Sequence, residues 1–236
     1  MYKSKPILAM ERCDVCGGSE FEHTPVLWPS LISEWRLDAI EAAYIDIQQG
    51  THCVACNANV RSIALARAIM RWRGFQGKLT DFVADPRQGA LRVLEFNEAG
   101  TLHQTLRRLP GHRLVTYPSF DMMQATLPSK SFDLVVHSDT LEHVADPLAG
   151  LRECRRLIDE GGAVIFTVPT VIGRLSRSRA GLPASYHGHA DSADPTMHVH
   201  TEFGSDAWTY VVRAGFESCE LLPFRFPSGL AMIARR

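Results

Sequence analysis

Four of the six cysteines form two Cys-x-x-Cys pairs, Cys13/Cys16 and Cys53/Cys56. Each pair puts two thiolates on one tight turn, and two such turns can clamp a single tetrahedral ion. Gly17 and Gly18 give the first turn the backbone freedom it needs. Four sulfur ligands leave no open position, so an ion held there folds the segment and does no chemistry. Zinc suits four thiolates in a reducing compartment, and rubredoxin-like iron takes the same ligand set. The remaining cysteines, Cys154 and Cys219, stand alone and read as packing residues.

A second concentration of reactive groups lies late in the chain. His187, His189, His198 and His200 are close in sequence. One of them could act as general base toward a hydroxyl. With Asp191 or Glu202 they could instead hold a second metal. Arg174, Arg177, Arg179 and Tyr186 precede them, and no acid occurs between Glu160 and Asp191. Arginines in so basic a stretch are expected to contact an anionic acceptor, through a phosphate or carboxylate.

These groups need a scaffold, and the hydrophobic pattern supplies one. Residues 31–49 have helical spacing inside the cysteine segment, and residues 61–73 read as a helix ended by Gly74. Short apolar runs then alternate with helical stretches. Residues 91–96, 113–117, 132–137 and 163–168 read as strands, with helices over 101–109 and 147–158. That alternation predicts a mostly parallel sheet covered on both faces. Residues 169–204 lack periodicity and read as a long connection of the kind that shapes binding sites. A helix over 206–214 and two strands, 218–224 and 230–234, follow as an antiparallel terminal pair.

Residues 127–169 carry the most specific signal. The order is Leu-Pro, Ser-Phe-Asp-Leu-Val-Val, Thr-Leu-Glu-His-Val, Asp-Pro, an amphipathic helix, Gly-Gly, and Val-Ile-Phe-Thr-Val-Pro. This order resembles the class I S-adenosylmethionine-dependent methyltransferases, above all the small-molecule branch typified by quinone-biosynthesis enzymes. The resemblance covers roughly residues 90–236. It implies a doubly wound α/β fold, a Rossmann-like and mostly parallel sheet of seven strands, with a small N-terminal zinc module. Residues 1–60 would form that module, with a helical insert, and residues 61–236 the methyltransferase domain.

The resemblance also implies a cofactor cleft beyond the carboxyl ends of the strands. Glu95 fills the family's acidic slot. Asn97, Ala99 and Thr101 stand where the family has glycines, and Gly100 is the glycine left in the loop. Asn tolerates a positive φ and Ala is small, so the loop can still admit a methionyl tail. The second strand ends Tyr117-Pro118 and not in the ribose-binding acid, while Asp121 and Met122 fall at the adenine side. Ser138, Asp139, Thr140 and His143, at the end of the fourth family strand, complete the expected cofactor set.

Composition narrows the function. The net charge of −1 lacks the basic excess of a phosphate-backbone binder, so nucleic acid is not the expected partner. No apolar run is long enough to cross a bilayer, and the first residues do not read as a signal peptide, so a cytoplasmic location is expected. The expectation is therefore methyl transfer from S-adenosylmethionine to an oxygen or nitrogen of a small, anionic metabolite or sugar. An RNA-modifying enzyme that uses the zinc module to grip RNA, and a non-catalytic interaction module, are the alternatives.

Overall fold

The computed structural model describes residues 10–188, 194–225 and 229–236. The chain runs through strand β1 (Phe21–His23), helices α1 (Pro29–Glu34) and α2 (Ala39–Gly50), strand β2 (Thr51–Cys53) and helices α3 (Val60–Trp72) and α4 (Leu79–Ala84). Strand β3 (Val93–Phe96), helix α5 (His103–Leu106), strand β4 (His112–Val115) and strand β5 (Phe132–Ser138) follow. Helix α6 (Pro147–Leu157) and strand β6 (Ile158–Thr167) lead to the short strands β7 (Thr170–Val171), β8 (Arg177–Ser178) and β9 (Thr201–Gly204). Helix α7 (Trp208–Arg213) and strands β10 (Ser218–Phe224) and β11 (Gly229–Arg235) close the chain.

The main sheet has the order β10-β11-β6-β5-β3-β4. Strands β4, β3, β5 and β6 are parallel, and β11 and β10 add antiparallel, as the terminal pattern predicts. The doubly wound class stands, but the sheet holds six strands among the described residues where seven were expected. The missing strand belongs between β4 and β5, and only residues 116–131 join them. A parallel crossover usually takes a dozen residues or more and a helix, so a further strand here would need two such connections, and residues 116–131 are too few for both. Here the segment forms a turn closed by Phe120 N–H to the Thr116 carbonyl and a single 3-10 turn, Met122–Gln124.

Alternation along the strands sends side chains to two cores. Val93, Leu134, Val136, Ala163, Ile165 and Ile233 face α3 and α4, while Leu94, Phe96, Val135, Phe166 and Met232 face α6 and α7. Helix α3 starts where the Asn59 side chain accepts from the Ser62 amide, and α6 where Asp146 accepts from Leu148 and Ala149 behind Pro147. The helical stretch expected over 31–49 is two helices, α1 and α2. The Asp38–Glu41 capping box starts the second of them. The connection after β6 is more ordered than its sequence suggests, because β7, β9 and β8 form a small sheet of their own.

Candidate functional site

Beyond the carboxyl ends of β3, β4 and β5 lies a cavity of about 450 Å³. Its floor is set by the loop after β3. Glu95 is fully buried and accepts hydrogen bonds from the Ala99 amide (2.6 Å), His103 Nδ1 (2.8 Å) and His112 Nε2 (2.5 Å). Burial works to raise its carboxyl, but the bonds from His112, His103 and Ala99 outweigh it and hold the group below its ordinary value. Glu95 therefore orders the loop from beneath and does not line the cavity. Asn97 and Glu98 both take left-handed backbone, φ +55° and +49°. The asparagine suits that conformation, and its side chain accepts from the Tyr117 amide at 2.8 Å. Glu98 suits it less, and the strain leaves an exposed carboxylate on the cavity wall. That carboxylate makes no hydrogen bond within the described residues.

Of the residues expected to hold the cofactor, Asn97, Tyr117, Asp121, Met122, Asp139, Thr140 and His143 line this cavity. Glu95, Ala99, Gly100 and Ser138 do not: Ala99 is buried with its amide on Glu95, and Ser138 Oγ is bonded to Thr167 Oγ1 at 2.8 Å. Asp121 caps the Met123 amide with one oxygen, at 2.8 Å.

A second cavity, about 360 Å³, lies on the other side of Asp139 and is mostly apolar. Val26, Leu27, Trp28, Leu31, Trp35, Leu37 and Ile45 wall it, all from the helical insert of the cysteine segment. The insert is fixed to the late connection by Trp35 Nε1 donating to Ser185 Oγ (2.9 Å) and by the Ile172 amide donating to the Tyr44 hydroxyl. Sequence reasoning missed this wall, although the apolar helical spacing over 31–49 was its signal.

Asp139, His143 and Met197 line both cavities. Asp139 sits at φ +44° just past β5 and is pinned by Arg61 Nη1, by Gln49 Nε2 (2.9 Å) and by Thr167 Oγ1 (3.4 Å). Arg61, from the first turn of α3, and Gln49, from α2, were not expected at the site. Glu142 is buried, and burial pushes its carboxyl up to about 8. Desolvation takes His187 down to about 3, helped by His143, Arg61 and Arg179. Burial also lowers His143, against the carbonyl of His198, and lowers His200 together with His198 and His143. Four titratable groups shifted by burial thus lie at or behind the two cavities, the kind of cluster that functional sites gather.

The late histidines are partly brought together. His187 lines the apolar cavity and His200 the first one. His198 Nδ1 and His200 Nε2 share a hydrogen bond at 3.3 Å, and His198 lines neither cavity. His189 and Asp191 lie outside the described residues. Tyr186 pairs with His198 as an isolated bridge and lines neither cavity. The arginines gather around one carboxylate. Arg174, Arg177 and Arg179 all bind Glu202, whose side chain is 1% exposed, and none of the three lines a cavity. Glu202 is likewise committed to them and to no metal group. A buried carboxylate collects guanidinium partners because its own desolvation is otherwise uncompensated.

At the N-terminus the two cysteine turns close on each other. Gly17 N–H donates to the Cys13 carbonyl and Asn57 N–H to that of Cys53, with Gly17 and Asn57 in left-handed backbone. A Cβ on Gly18 would stand 2.9 Å from Cys53 Sγ, so the approach requires glycine. Cys13 and Cys56 sulfurs are 3.7 Å apart, as are those of Cys16 and Cys53, and all four lie within 4.8 Å of one another. Four thiolates at about 2.3 Å around a tetrahedral ion stand about 3.8 Å apart, so the donor set fits zinc.

Residues 76–166 match the family model described as a methyltransferase domain. The curated ubiquinone biosynthesis O-methyltransferase of Actinobacillus pleuropneumoniae serotype 5b is 26% identical over 114 residues. That match covers 48% of this chain and 43% of the relative's length. Among solved structures, an S-adenosylmethionine-dependent methyltransferase from Mesorhizobium loti is 16% identical with a TM-score of 0.41, covering 66% of this chain and 95% of that one. The 1,6-didemethyltoxoflavin-N1-methyltransferase of Burkholderia thailandensis is 15% identical with a TM-score of 0.39, covering 67% and 76%. No helix among the described residues is long and apolar enough to cross a membrane.

Proposed function

We propose that this chain, whose central residues form a methyltransferase domain of the S-adenosylmethionine-dependent class, moves a methyl group from S-adenosylmethionine to an oxygen of a small acceptor. The observation that carries this reading is the junction of two cavities at Asp139, His143 and Met197. Bound in the cavity beyond β3, β4 and β5, the cofactor supplies an electrophilic methyl on a sulfonium sulfur. The apolar cavity holds the acceptor so that its oxygen approaches from the opposite side. In-line placement does most of the work in such a displacement. The methyl carbon leaves sulfur, which keeps the electron pair as a neutral thioether, and bonds to the acceptor oxygen. A hydroxyl acceptor releases its proton to an imidazole beside the junction, His200, whose neutral form burial and the neighbouring His198 and His143 favour.

The lining supports an acceptor with an apolar body and a hydroxyl at one end. The anionic metabolite or sugar expected from the arginines finds no free guanidinium there, since Arg61 is held by Asp139 and the other three by Glu202. Residues 1–60 are a zinc-folded module whose helical insert walls the acceptor cavity, and residues 61–236 bind the cofactor. Four thiolates kept for a metal need reducing surroundings, which supports a cytoplasmic location.

Glu98 takes the place of the missing ribose acid, as a carboxylate that accepts from cofactor hydroxyl or ammonium groups. Replacing Glu98→Gln is expected to weaken S-adenosylhomocysteine binding about tenfold, roughly 1.4 kcal/mol, with thermal stability unchanged. Equal affinity in the two proteins by titration calorimetry would remove Glu98 from the site.

A further inference from the structure

Among the described residues the Glu142 side chain has no hydrogen-bond partner. Its side chain is 1% exposed, and neither carboxylate oxygen makes a hydrogen bond within the described residues. Arg61 Nη1 is committed to Asp139 and Gln49, and Arg61 Nε, though buried, makes no hydrogen bond to Glu142 or to any other described residue. What faces Glu142 Oε1 is His143 Nε2 at 3.6 Å and His187 Nδ1 at 3.7 Å. Both distances are too long for hydrogen bonds, and a buried carboxylate left in this state is costly.

We infer that Glu142, His143 and His187 bind a divalent first-row metal ion, separate from the four-cysteine site. The three ligand atoms lie within 4.8 Å of one another. An ion about 2.1 Å from each would set them about 3.4 Å apart, so the two carboxylate–imidazole distances of 3.6 and 3.7 Å need to close by only a few tenths of an ångström. The ligands are already oriented for this. His143 donates from Nδ1 to the His198 carbonyl at 3.0 Å, which leaves the lone pair on Nε2, facing the carboxylate. The Glu142 carbonyl accepts from the His200 amide at 2.8 Å, and the His187 amide donates to the Met197 carbonyl at 3.0 Å. These bonds clamp the turn after β5 to the late connection. Two imidazoles and one carboxylate suit zinc, manganese or ferrous iron better than calcium.

Three protein ligands leave open positions. His143 lines both cavities and His187 the apolar one, so those positions face the junction. Their use by an acceptor hydroxyl, whose acidity the ion would raise, rests on the methyltransferase reading. Binding of the ion does not, and it is tested without cofactor or acceptor.

The test uses the full chain with zinc in its cysteine site. Bound zinc is counted after dialysis against excess zinc, and manganese is titrated with electron paramagnetic resonance as the readout, because manganese avoids thiolate ligands. The expected result is a second zinc equivalent or one saturable manganese per chain, with affinity at least thirtyfold lower in Glu142→Gln and in His187→Phe. Added metal should also raise the melting temperature of the wild type and leave that of Glu142→Gln unchanged. One zinc per chain with no manganese bound overturns the inference. So does a second equivalent that both variants retain. Failure of cofactor binding would leave these outcomes as they stand, so the two readings fail separately.

Discussion

Preparing the protein without zinc, or replacing Cys53→Ser, is expected to unfold the N-terminal module and to destabilise the whole chain. The cluster is not an appendage. Cys13, Val15, Cys53 and Ala58 are buried in the same core as Ile63, Leu79 and Phe82. The first cysteine turn also accepts backbone bonds from the start of α4, Leu79 N–H to the Asp14 carbonyl (2.8 Å) and Thr80 N–H to that of Val15 (3.0 Å). Structural zinc contributes about 10–16 kcal/mol of apparent binding free energy in small modules, comparable to the whole stability of a typical domain. Even a loss of about 5 kcal/mol lowers the midpoint of a chain this size by roughly 10–20 °C. Thermal denaturation with zinc content measured in parallel checks this. An unchanged midpoint in protein shown to hold no zinc would contradict it.

Replacing Glu202→Ala should cost about 3 kcal/mol, because it takes one shared carboxylate from three guanidinium groups, of which that of Arg179 is buried. Glu202 accepts from Arg174 Nη1 (3.3 Å), Arg177 Nε (2.7 Å) and Arg179 Nη1. The Arg179 side chain is only 4% exposed, so water cannot replace the lost partner. The damage reaches the apolar cavity, because the same arginines hold the helical insert. Arg174 donates to the Trp35 carbonyl at 2.7 Å, and Arg179 to Glu34 at 2.8 Å. Glu202→Gln, which keeps acceptor oxygen but loses the charge, should fall between wild type and alanine. Urea denaturation measures both, and a change below about 1 kcal/mol for the alanine variant would show the cluster to be solvated.

These two cases also mark what the sequence could and could not reveal. The Cys-x-x-Cys spacing is local, and each turn forms from its own residues, so the four-sulfur cluster was legible. So were β3, β5 and β6, whose apolar runs are buried on both faces whatever surrounds them. The commitment of the arginines to Glu202 was not legible because that partner lies in β9, more than twenty residues on. A stretch without acids looks basic only until the fold brings Glu202 into it. The same applies to the wall of the apolar cavity, where α1 and α2 meet residues after β6. Asn97 was legible as a left-handed position by residue type. Glu98 was not, because glutamate seldom takes that conformation and nothing in its neighbourhood announces it. The seventh strand was lost to length alone, in residues 116–131.

The central claim is that the loop from Glu95 to Gly100, poor in glycine, still holds the cofactor. Titration calorimetry of the zinc-loaded protein with S-adenosylhomocysteine tests it most directly. The account predicts saturable binding at one site per chain. No heat of binding at high ligand concentration, in protein whose melting transition shows it to be folded, would contradict it.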